Sequence, residues 1–437
     1  MTLEMFFLLM IALFIVLMFA GLHIHSVLLG VGVIGIIILE GPSYITSFLQ
    51  SDPYTRTASY TLTTIPLFIL MAQFVLQSGI VRDMYAVIFQ LSKGKSGLLG
   101  VLTVIVGGLL GAVSGSTTAS SAALGQVAVP ELKKHGFRED ISGATIAAAG
   151  SLSGIIPPSI ILILYGVITE TPIGTLFIGA IIPGLLMILV IIVCMLFLHY
   201  KTNQHQTIDN GDSGVGKISI SIPRIVLVFT IAASIMAIIF GGIYTGVFTP
   251  TEAGAVGAFV SFIAAILLRK VNKEFFVKSF SETIKITSMV LMIMITAQIF
   301  GRFISVSMLP RKLIEFIGPL IDYPMLVLVL FVLVYFVLFM FIEGAAVIVM
   351  TTPILLPIVQ QMNVDLIWFG ILVSVICTIG LITPPVGLSV YAVAGVTGVS
   401  VERLFRYTIV FAIALVVVVC GLLILFPELV TFLPNLM

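Results

Sequence analysis

Charged side chains are scarce in this sequence. Of its 437 residues, only 9% are Asp, Glu, Lys or Arg, whereas 60% are hydrophobic. Soluble globular domains carry about 25% charged residues, so the composition excludes an ordinary soluble domain. Apolar runs of about 20 residues recur along the chain, and each is long enough to cross a bilayer as a helix. The net charge of +1 says nothing about nucleic-acid or acidic partners, and we expect no nucleic-acid partner. We therefore predict an all-α polytopic protein embedded in the lipid bilayer.

Cysteine is also scarce, and the three residues present, Cys194, Cys377 and Cys420, all lie inside apolar runs. This placement excludes a disulfide framework and favours buried thiols that act as small hydrophobic groups. The five histidines have no partners at the spacing of a metal site. We therefore expect them to be interfacial or loop residues rather than metal ligands.

The common sequence motifs of enzymes are missing. The triplet GKS at 94–96 has Phe89 at the position where a phosphate-binding loop requires its first glycine. The chain contains neither G-x-S-x-G nor H-E-x-x-H. An intramembrane hydrolase would need a base near Ser114 or Ser116, and no histidine lies in a matching span. We therefore expect no catalytic residues.

The apolar runs predict where the chain crosses or enters the membrane. The predicted spans are 3–22, 26–41, 61–80, 98–113, 139–170, 176–199, 223–244, 252–268, 285–305, 323–342, 345–361, 366–397 and 404–427. The first span has no basic stretch before it and no small-residue cleavage site, so we expect a retained helix. A polar stretch predicts a flexible cytoplasmic linker at 201–222, between a first repeat at 1–200 and a second at 223–437.

The two halves contain an internal repeat. Pro157–Pro158 follows Pro130 at the same spacing at which Pro384–Pro385 follows Pro357. One constant offset along the chain therefore relates the two sets of prolines. Because many secondary transporters are built from internal repeats, this pattern favours a transporter.

The distribution of positive charge predicts the topology, because lysine and arginine favour the cytoplasmic side of a membrane. With the N-terminus outside, most of them fall inside, and the exceptions are Arg56, Arg302, Arg311 and Lys312. This arrangement requires 98–131 to enter and leave on the cytoplasmic side, and 323–361 to do so on the outside. We therefore predict two re-entrant helical hairpins in inverted repeats.

Each half also has a Pro–Pro pair within a span, in SLSGIIPPS at 151–159 and IGLITPPVG at 379–387. Because proline lacks an amide donor and clashes with the preceding turn, we predict broken helices at 139–170 and 366–397. Free carbonyls and Ser or Thr hydroxyls suit a hard cation such as Na⁺, and half-helix N-termini suit an anionic substrate. The alternative is that these residues only allow close helix packing.

The predicted hairpin tips carry polar groups at membrane depth, where irregular backbone must line a cavity or be buried in protein. As substrate contacts we predict Ser116, Thr118, Glu343 and Ala345. Ser116 and Thr118 have the alternative role of capping the second hairpin arm. As an intramembrane carboxylate, Glu343 has the alternatives of binding a cation, carrying a proton or bonding to the opposite arm.

Four stretches together resemble the large membrane (M) subunit of tripartite ATP-independent periplasmic (TRAP) transporters. They are PLFILMAQFVLQSGIV, GAVSGSTTASSAALGQVAVPELKKHGF, AAAGSLSGIIPPSI and IGLITPPVGLSVYAVAG. Each stretch alone is weak, but the combination is fairly specific, and the similarity covers essentially the whole chain.

The resemblance implies an elevator-type transporter, in which a scaffold supports a transport domain of two hairpins and two broken helices. It implies uptake of an organic acid, such as a C4-dicarboxylate or sialic acid, driven by a Na⁺ gradient and without another cofactor. It also implies a periplasmic binding protein (P) that delivers the acid. A separate four-helix membrane subunit (Q) would complete the scaffold in the cytoplasmic (inner) membrane of a bacterium or archaeon.

The resemblance further implies two Na⁺ sites, each formed by a hairpin tip and a break. The first site would comprise Ser114, Thr117, Ser153, Ile156 and Pro158. The second site would comprise Gly344, Gly380, Thr383 and Val386. Many members of the family have glycine where Ser153 stands, and a backbone carbonyl ligand survives that change.

Two transport hypotheses follow. The leading one is a Na⁺-coupled permease subunit that depends on a binding protein. The alternative is a stand-alone ion-coupled carboxylate carrier or antiporter of related elevator architecture, which needs no partner.

Overall fold

A computed structural model describes residues 3–46, 58–92, 95–203, 222–320 and 323–436. The side chains of some helix positions within these ranges, including Ser114, lie outside the description, as do Arg56 and most of the predicted linker at 201–222. The described residues form helices, turns and bends, with no strand among them. Seven of their helical stretches are long and apolar enough to cross a membrane. The predicted all-α membrane fold is confirmed.

The first half contains helices of very different length. In chain order they are α1 (Leu3–Phe19), α2 (Ile24–Glu40), α3 (Thr64–Gln77), α4 (Ile80–Ser92), α5 (Ser96–Ser114), α6 (Thr117–Lys134), α7 (Glu139–Ser151), α8 (Ile160–Thr169), α9 (Ile173–Gly179) and α10 (Ile181–Asn203). Helices α5 and α6 form the first hairpin, and α7 and α8 form the first broken helix. The predicted span at 176–199 is split at Ala180.

The second half repeats this order. Its helices are α11 (Ile222–Tyr244), α12 (Pro250–Leu267), α13 (Lys273–Val306), α14 (Leu309–Ile317), α15 (Pro324–Phe341), α16 (Gly344–Gln361), α17 (Leu366–Gly380), α18 (Leu388–Thr397), α19 (Val401–Ala414), α20 (Gly421–Leu425) and α21 (Glu428–Thr431). Helices α15 and α16 form the second hairpin, and α17 and α18 form the second broken helix.

The second arms of the hairpins end at equivalent positions in the two halves, and the ends of the broken helices agree within two residues. Helix α6 spans Thr117–Lys134 and α16 spans Gly344–Gln361, so both ends are related by the offset that relates the prolines. The bonds Pro157–Pro158 and Pro384–Pro385, at the same offset, are both cis. The repeat that the proline spacing predicts therefore extends to the element boundaries, whereas the division at the linker stays a prediction.

Glycines allow the helices outside the hairpins to pack backbone against backbone. A Cβ built on Gly32 of α2 would lie 2.9 Å from the backbone nitrogen of Phe300 in α13. Helix α3 packs against both α12 and α13, and the buried hydroxyls of Thr64 and Thr251 join α3 to α12 at 2.6 Å. In lipid, the hydrophobic effect does not drive helices to associate. Close packing and interhelical hydrogen bonds therefore hold α2, α3, α12 and α13 together.

The broken helices exchange partners between the halves. Helix α8 of the first half packs against α16 of the second hairpin, and α18 of the second half packs against α6 and α7. A Cβ built on Gly125 of α6 would lie 3.2 Å from Val396 of α18. The helix that follows each break, α8 or α18, therefore packs against helices of the other half of the chain.

An ion-pair cluster also joins the two halves, near the predicted cytoplasmic end of α7. Asp140 accepts from Arg138 at 2.6 Å and lies 3.7 Å from Arg403 at the start of α19. Arg138 also lies over the ring of Tyr407, 5.7 Å from its centroid. The Asp140 side chain is only 5% exposed, so the two arginines compensate a buried charge.

Three helices differ from the predicted spans. Helix α13 begins at Lys273, well before the predicted start at 285, because its first turns are held in solvent by pairs such as Lys278–Glu274 at 2.6 Å. Helices α4 and α14 are amphipathic and have 13 and 9 residues, too few to cross a bilayer. The apolar runs of the sequence do not predict them as separate helices, because both are short and carry polar residues on one face.

The last predicted span, 404–427, is not one regular helix. The π-helical stretch Leu415–Cys420 separates α19 from α20. Just beyond it, the carbonyl of Leu423 accepts a hydrogen bond from the indole nitrogen of Trp368 at 2.8 Å. The start of α17 is thereby attached to the end of the chain's last long helix.

Candidate functional site

The first hairpin turns through a left-handed glycine. Helix α5 ends at Ser114, and Gly115 follows with φ of 58°, a conformation that glycine adopts without a steric penalty. The hydroxyl of Ser116 then accepts from the amide of Ala119 at 3.4 Å and caps α6. The capping role considered for Ser116 is therefore present, and Thr118 lies 3.4 Å from the Ser116 hydroxyl.

The first break occupies the residues between α7 and α8. A 3₁₀ turn at Leu152–Gly154 ends α7. Ser159 then donates its hydroxyl proton to the Gly154 carbonyl at 2.7 Å and accepts from the Leu162 amide at 3.4 Å. Ser159 therefore closes the break on one side and caps α8 on the other.

The first tip and the first break are in direct contact. A Cβ built on Gly111 would lie 2.8 Å from the backbone nitrogen of Ser153, and one on Gly115 would lie 3.3 Å from the carbonyl oxygen of Pro158. A Cβ on Gly154 would lie 3.5 Å from the Thr117 methyl group. The structure thus brings Thr117, Ser153 and Pro158 together, and these are three of the residues that the resemblance assigns to the first cation site.

The first break offers hard oxygen donors. Ser153 is fully buried and donates to the Gly150 carbonyl at 2.9 Å, which leaves the lone pairs of its oxygen available, because a hydroxyl is one donor and two acceptors. Among the described groups, no hydrogen bond occupies the carbonyls of Ile156 or Pro158. This donor set suits Na⁺. The side chain of Ser114 lies outside the described residues.

The second hairpin turns differently. Ile342 is extended, with φ of −121° and ψ of 145°, and Glu343 follows as the N-cap of α16. One carboxylate oxygen accepts from the Ala346 amide at 3.2 Å. The half-buried Glu343 therefore caps its own arm, and this bond is not the bond to the opposite arm that was considered from the sequence.

The second break lies directly against the second tip. The amide of Val386 donates to the carbonyl of Met340 at 3.3 Å. Gly380 has no room for a side chain, since a Cβ there would lie 2.9 Å from the carbonyl carbon of Phe339. Thr383 is buried and donates to the Ile379 carbonyl at 2.7 Å, so its oxygen retains lone pairs, as that of Ser153 does.

The last turn of α17 connects the two regions. A Cβ built on Gly154, in the first break, would lie 2.9 Å from the Thr378 hydroxyl. A Cβ built on Gly344, at the second tip, would lie 2.5 Å from the Cys377 sulfur. Two consecutive residues of α17, Cys377 and Thr378, therefore contact the two predicted cation regions. The last turn of α17 lies between these regions.

The predicted substrate contacts do not share one environment. Ser116 and Thr118 are half-buried beside the first tip. Glu343 is half-buried at the second tip, whereas Ala345 is 2% exposed within α16. Their role in binding an acid stays a prediction.

Sequence reasoning missed four residues of this region: Gly111, Gly154, Ser159 and Thr378. For Ser159 a signal was present, because a serine just after a helix-breaking proline pair is a strong N-cap candidate. The two glycines and Thr378 matter through contacts between helices that are distant in sequence, and no local pattern identifies such contacts.

The described residues contain no group of three or more His, Cys, Asp or Glu side chains that could hold a metal ion. The oxygen donors at the breaks are hydroxyls and carbonyls. Such ligands suit hard cations better than they suit transition metals.

Comparison with known proteins agrees with this description. Residues 11–429 match the family model described as tripartite ATP-independent periplasmic transporter, DctM component. The chain is similar to the sialic acid TRAP transporter large permease protein SiaM of Vibrio cholerae, with 27% identity over 421 residues and 96% of each chain covered. It is also similar to the C4-dicarboxylate TRAP transporter large permease protein DctM of Pseudomonas aeruginosa, with 31% identity over 379 residues and 85% of each chain covered.

Among solved structures, the fold is similar to that of the YdaH transporter of Alcanivorax borkumensis. The TM-score is 0.65, with 89% of each chain covered and 15% sequence identity. At that identity the likeness shows a common fold alone.

Proposed function

Because the chain belongs to the DctM component family of tripartite ATP-independent periplasmic transporters, we propose that it is the large permease subunit of an importer for an organic acid. Relatives are named for sialic acid and for C4-dicarboxylates. These acids share a carboxylate at neutral pH, so the proposed substrate class is a small organic anion. The members of this family are transport permeases rather than enzymes.

Na⁺ is the proposed coupling ion. The observation that carries this part is that each half has a buried hydroxyl, Ser153 or Thr383, at a break that directly contacts a hairpin tip. Hard cations prefer such oxygen ligands. Ser114, Thr117, Ile156 and Pro158 are the remaining proposed groups of the first site, and Gly344, Gly380 and Val386 those of the second.

The proposed mechanism is an elevator. The hairpins and broken helices pack into one body through the exchange of α8 and α18 between the halves. The proposed movement carries this body as a unit past the scaffold formed by α1–α3 and α11–α13. The organic anion would then cross without the opening of a continuous pore.

The proposed complex contains two further proteins. Large permease subunits of this family generally work with a small membrane subunit and a periplasmic substrate-binding protein. The proposed partners of this chain are such a small membrane subunit and such a binding protein, and the proposed location is the cytoplasmic (inner) membrane.

Reconstitution tests this function. The chain and its small membrane subunit are placed in proteoliposomes, and uptake of labelled sialic acid and labelled succinate is measured with the cognate binding protein outside. We expect uptake of one acid that requires both the binding protein and an inward Na⁺ gradient, with no uptake when K⁺ replaces Na⁺. Uptake without any binding protein would instead favour the stand-alone carrier.

A further inference from the structure

Glu343 and Ser116 occupy the same place in the two halves but differ in charge. They are related by the offset of the internal repeat, and each is the N-cap of the second arm of its hairpin. A serine hydroxyl is sufficient for this capping role. Capping α16 therefore does not require the negative charge of Glu343.

The charge of Glu343 has no compensating cation among the described residues. No described lysine or arginine nitrogen lies within 4.0 Å of its carboxylate. The bond from the Ala346 amide, at the N-terminus of α16, supplies only partial positive charge. At membrane depth a full negative charge is costly unless a counter-charge accompanies it.

The contacts of the residues around Glu343 place the second tip beside the proposed second cation region. Gly344 follows Glu343 directly and lies against Cys377, one turn before the end of α17 at Gly380. On the other side of the tip, Met340 accepts from Val386 of the break. Neutral hydroxyls and carbonyls are the other donors proposed here, so Glu343 is the charged group of this region.

We propose that Glu343 is the electrostatic anchor of the second cation region, where its fixed charge strengthens Na⁺ binding and repels the substrate carboxylate from the second tip. This inference rests on the proposed Na⁺-coupled function. It replaces the assignment of Glu343 as a substrate contact, because two carboxylates at one tip would repel each other. The first tip, with Ser116 at this position, has no such fixed charge.

Four variants separate charge from capping. Glu343→Ser copies the first tip and keeps a capping hydroxyl without the charge, and Glu343→Gln keeps the shape of the side chain. Glu343→Asp keeps both charge and cap. Ser116→Ala removes the equivalent cap of the first hairpin without changing any charge.

The measurement is binding of radiolabelled Na⁺ by scintillation proximity, on the purified full chain co-expressed with its small membrane subunit, with choline maintaining the ionic strength. We expect Glu343→Ser and Glu343→Gln to weaken Na⁺ binding by about tenfold or more, and Glu343→Asp and Ser116→Ala to change it by less than about threefold. The thermal unfolding midpoint in choline alone shows whether each variant is folded.

Two results would overturn the inference: Na⁺ affinity in Glu343→Ser and Glu343→Gln equal to that of the wild type, or an equal loss in Ser116→Ala. If Glu343→Ser does not fold, the comparison of Glu343→Gln with Glu343→Asp decides the question. Failure of the proposed function is a different outcome, since the wild type itself would then bind no Na⁺.

Discussion

The two hairpin tips have the same boundaries but different chemistry. The first turns through the left-handed Gly115 and caps its second arm with the hydroxyl of Ser116. The second turns through the extended Ile342 and caps its second arm with the carboxylate of Glu343. Since either tip forms the turn, the turn does not require a charge. The carboxylate of the second tip therefore has a role other than forming the turn, and the first tip lacks the group for that role.

The contact between hairpin and break also differs between the halves, because the glycine that allows it lies on a different element in each half. In the first half the glycine lies on the hairpin arm, where Gly111 meets the backbone of Ser153. In the second half it lies on the broken helix, where Gly380 meets Phe339. Both solutions bring two backbones close together, so the repeat preserves the distance between the elements rather than the residue at each position.

The largest effect is expected from filling these glycine contacts. Gly111→Ala and Gly380→Ala each place a methyl group against backbone atoms that lie within 3.0 Å, so each should destabilise the fold by about 3 kcal/mol. The control is Gly395→Ala in α18, where no atom lies within 4 Å. The check is the unfolding midpoint of the purified protein. If all three variants melt together, the close contacts do not exist.

A smaller effect is expected at the ion-pair cluster that joins the start of α7 in the first half to the start of α19 in the second. Asp140→Asn leaves Arg138 and Arg403 without their shared partner and should cost about 1–2 kcal/mol, because both guanidinium groups keep access to solvent. The comparison variant is Asp365→Asn at the N-cap of α17, whereas Asp140 lies in the first turn of α7. Asparagine also caps well, so its cost should be only about 0.5 kcal/mol. Equal losses in unfolding assays would contradict this asymmetry.

The smallest effect is expected from the two buried hydroxyls at the breaks. Thr383→Ala and Ser153→Ala each remove one oxygen that is oriented by a bond to a helix carbonyl. Each should raise the Na⁺ concentration for half-maximal uptake by about fivefold, which corresponds to about 1 kcal/mol. Proteoliposome uptake measured against Na⁺ concentration is the check. An unchanged Na⁺ dependence in either variant would remove that hydroxyl from the proposed ligand set.

Much of the fold could be predicted from the sequence. The Pro–Pro pairs identify the breaks because proline cannot continue a helix, and the lysines on either side of 98–131 identify a hairpin because both ends must lie on one side. The hairpin and broken-helix boundaries in the structure agree closely with these predictions. These features depend on local chemistry, which a sequence displays directly.

The exchange of partners between the halves could not be predicted in this way. That α8 packs against α16, and α18 against α6, is decided by shape between stretches that lie far apart in the chain. The capping role of Glu343 was missed for a related reason. A carboxylate in an apolar stretch draws attention to its charge, whereas its bond to Ala346 depends on where the helix begins.

The chain has a single tryptophan, and it lies at a contact between two parts of the fold. Trp368 is 4% exposed, and its indole donates to the Leu423 carbonyl at 2.8 Å. Indole emission responds to local polarity and hydrogen bonding, so this residue is a built-in optical reporter of the junction between α17 and the last helix. Ligand-induced rearrangement at that junction can be followed in the unlabelled protein, without introducing a dye.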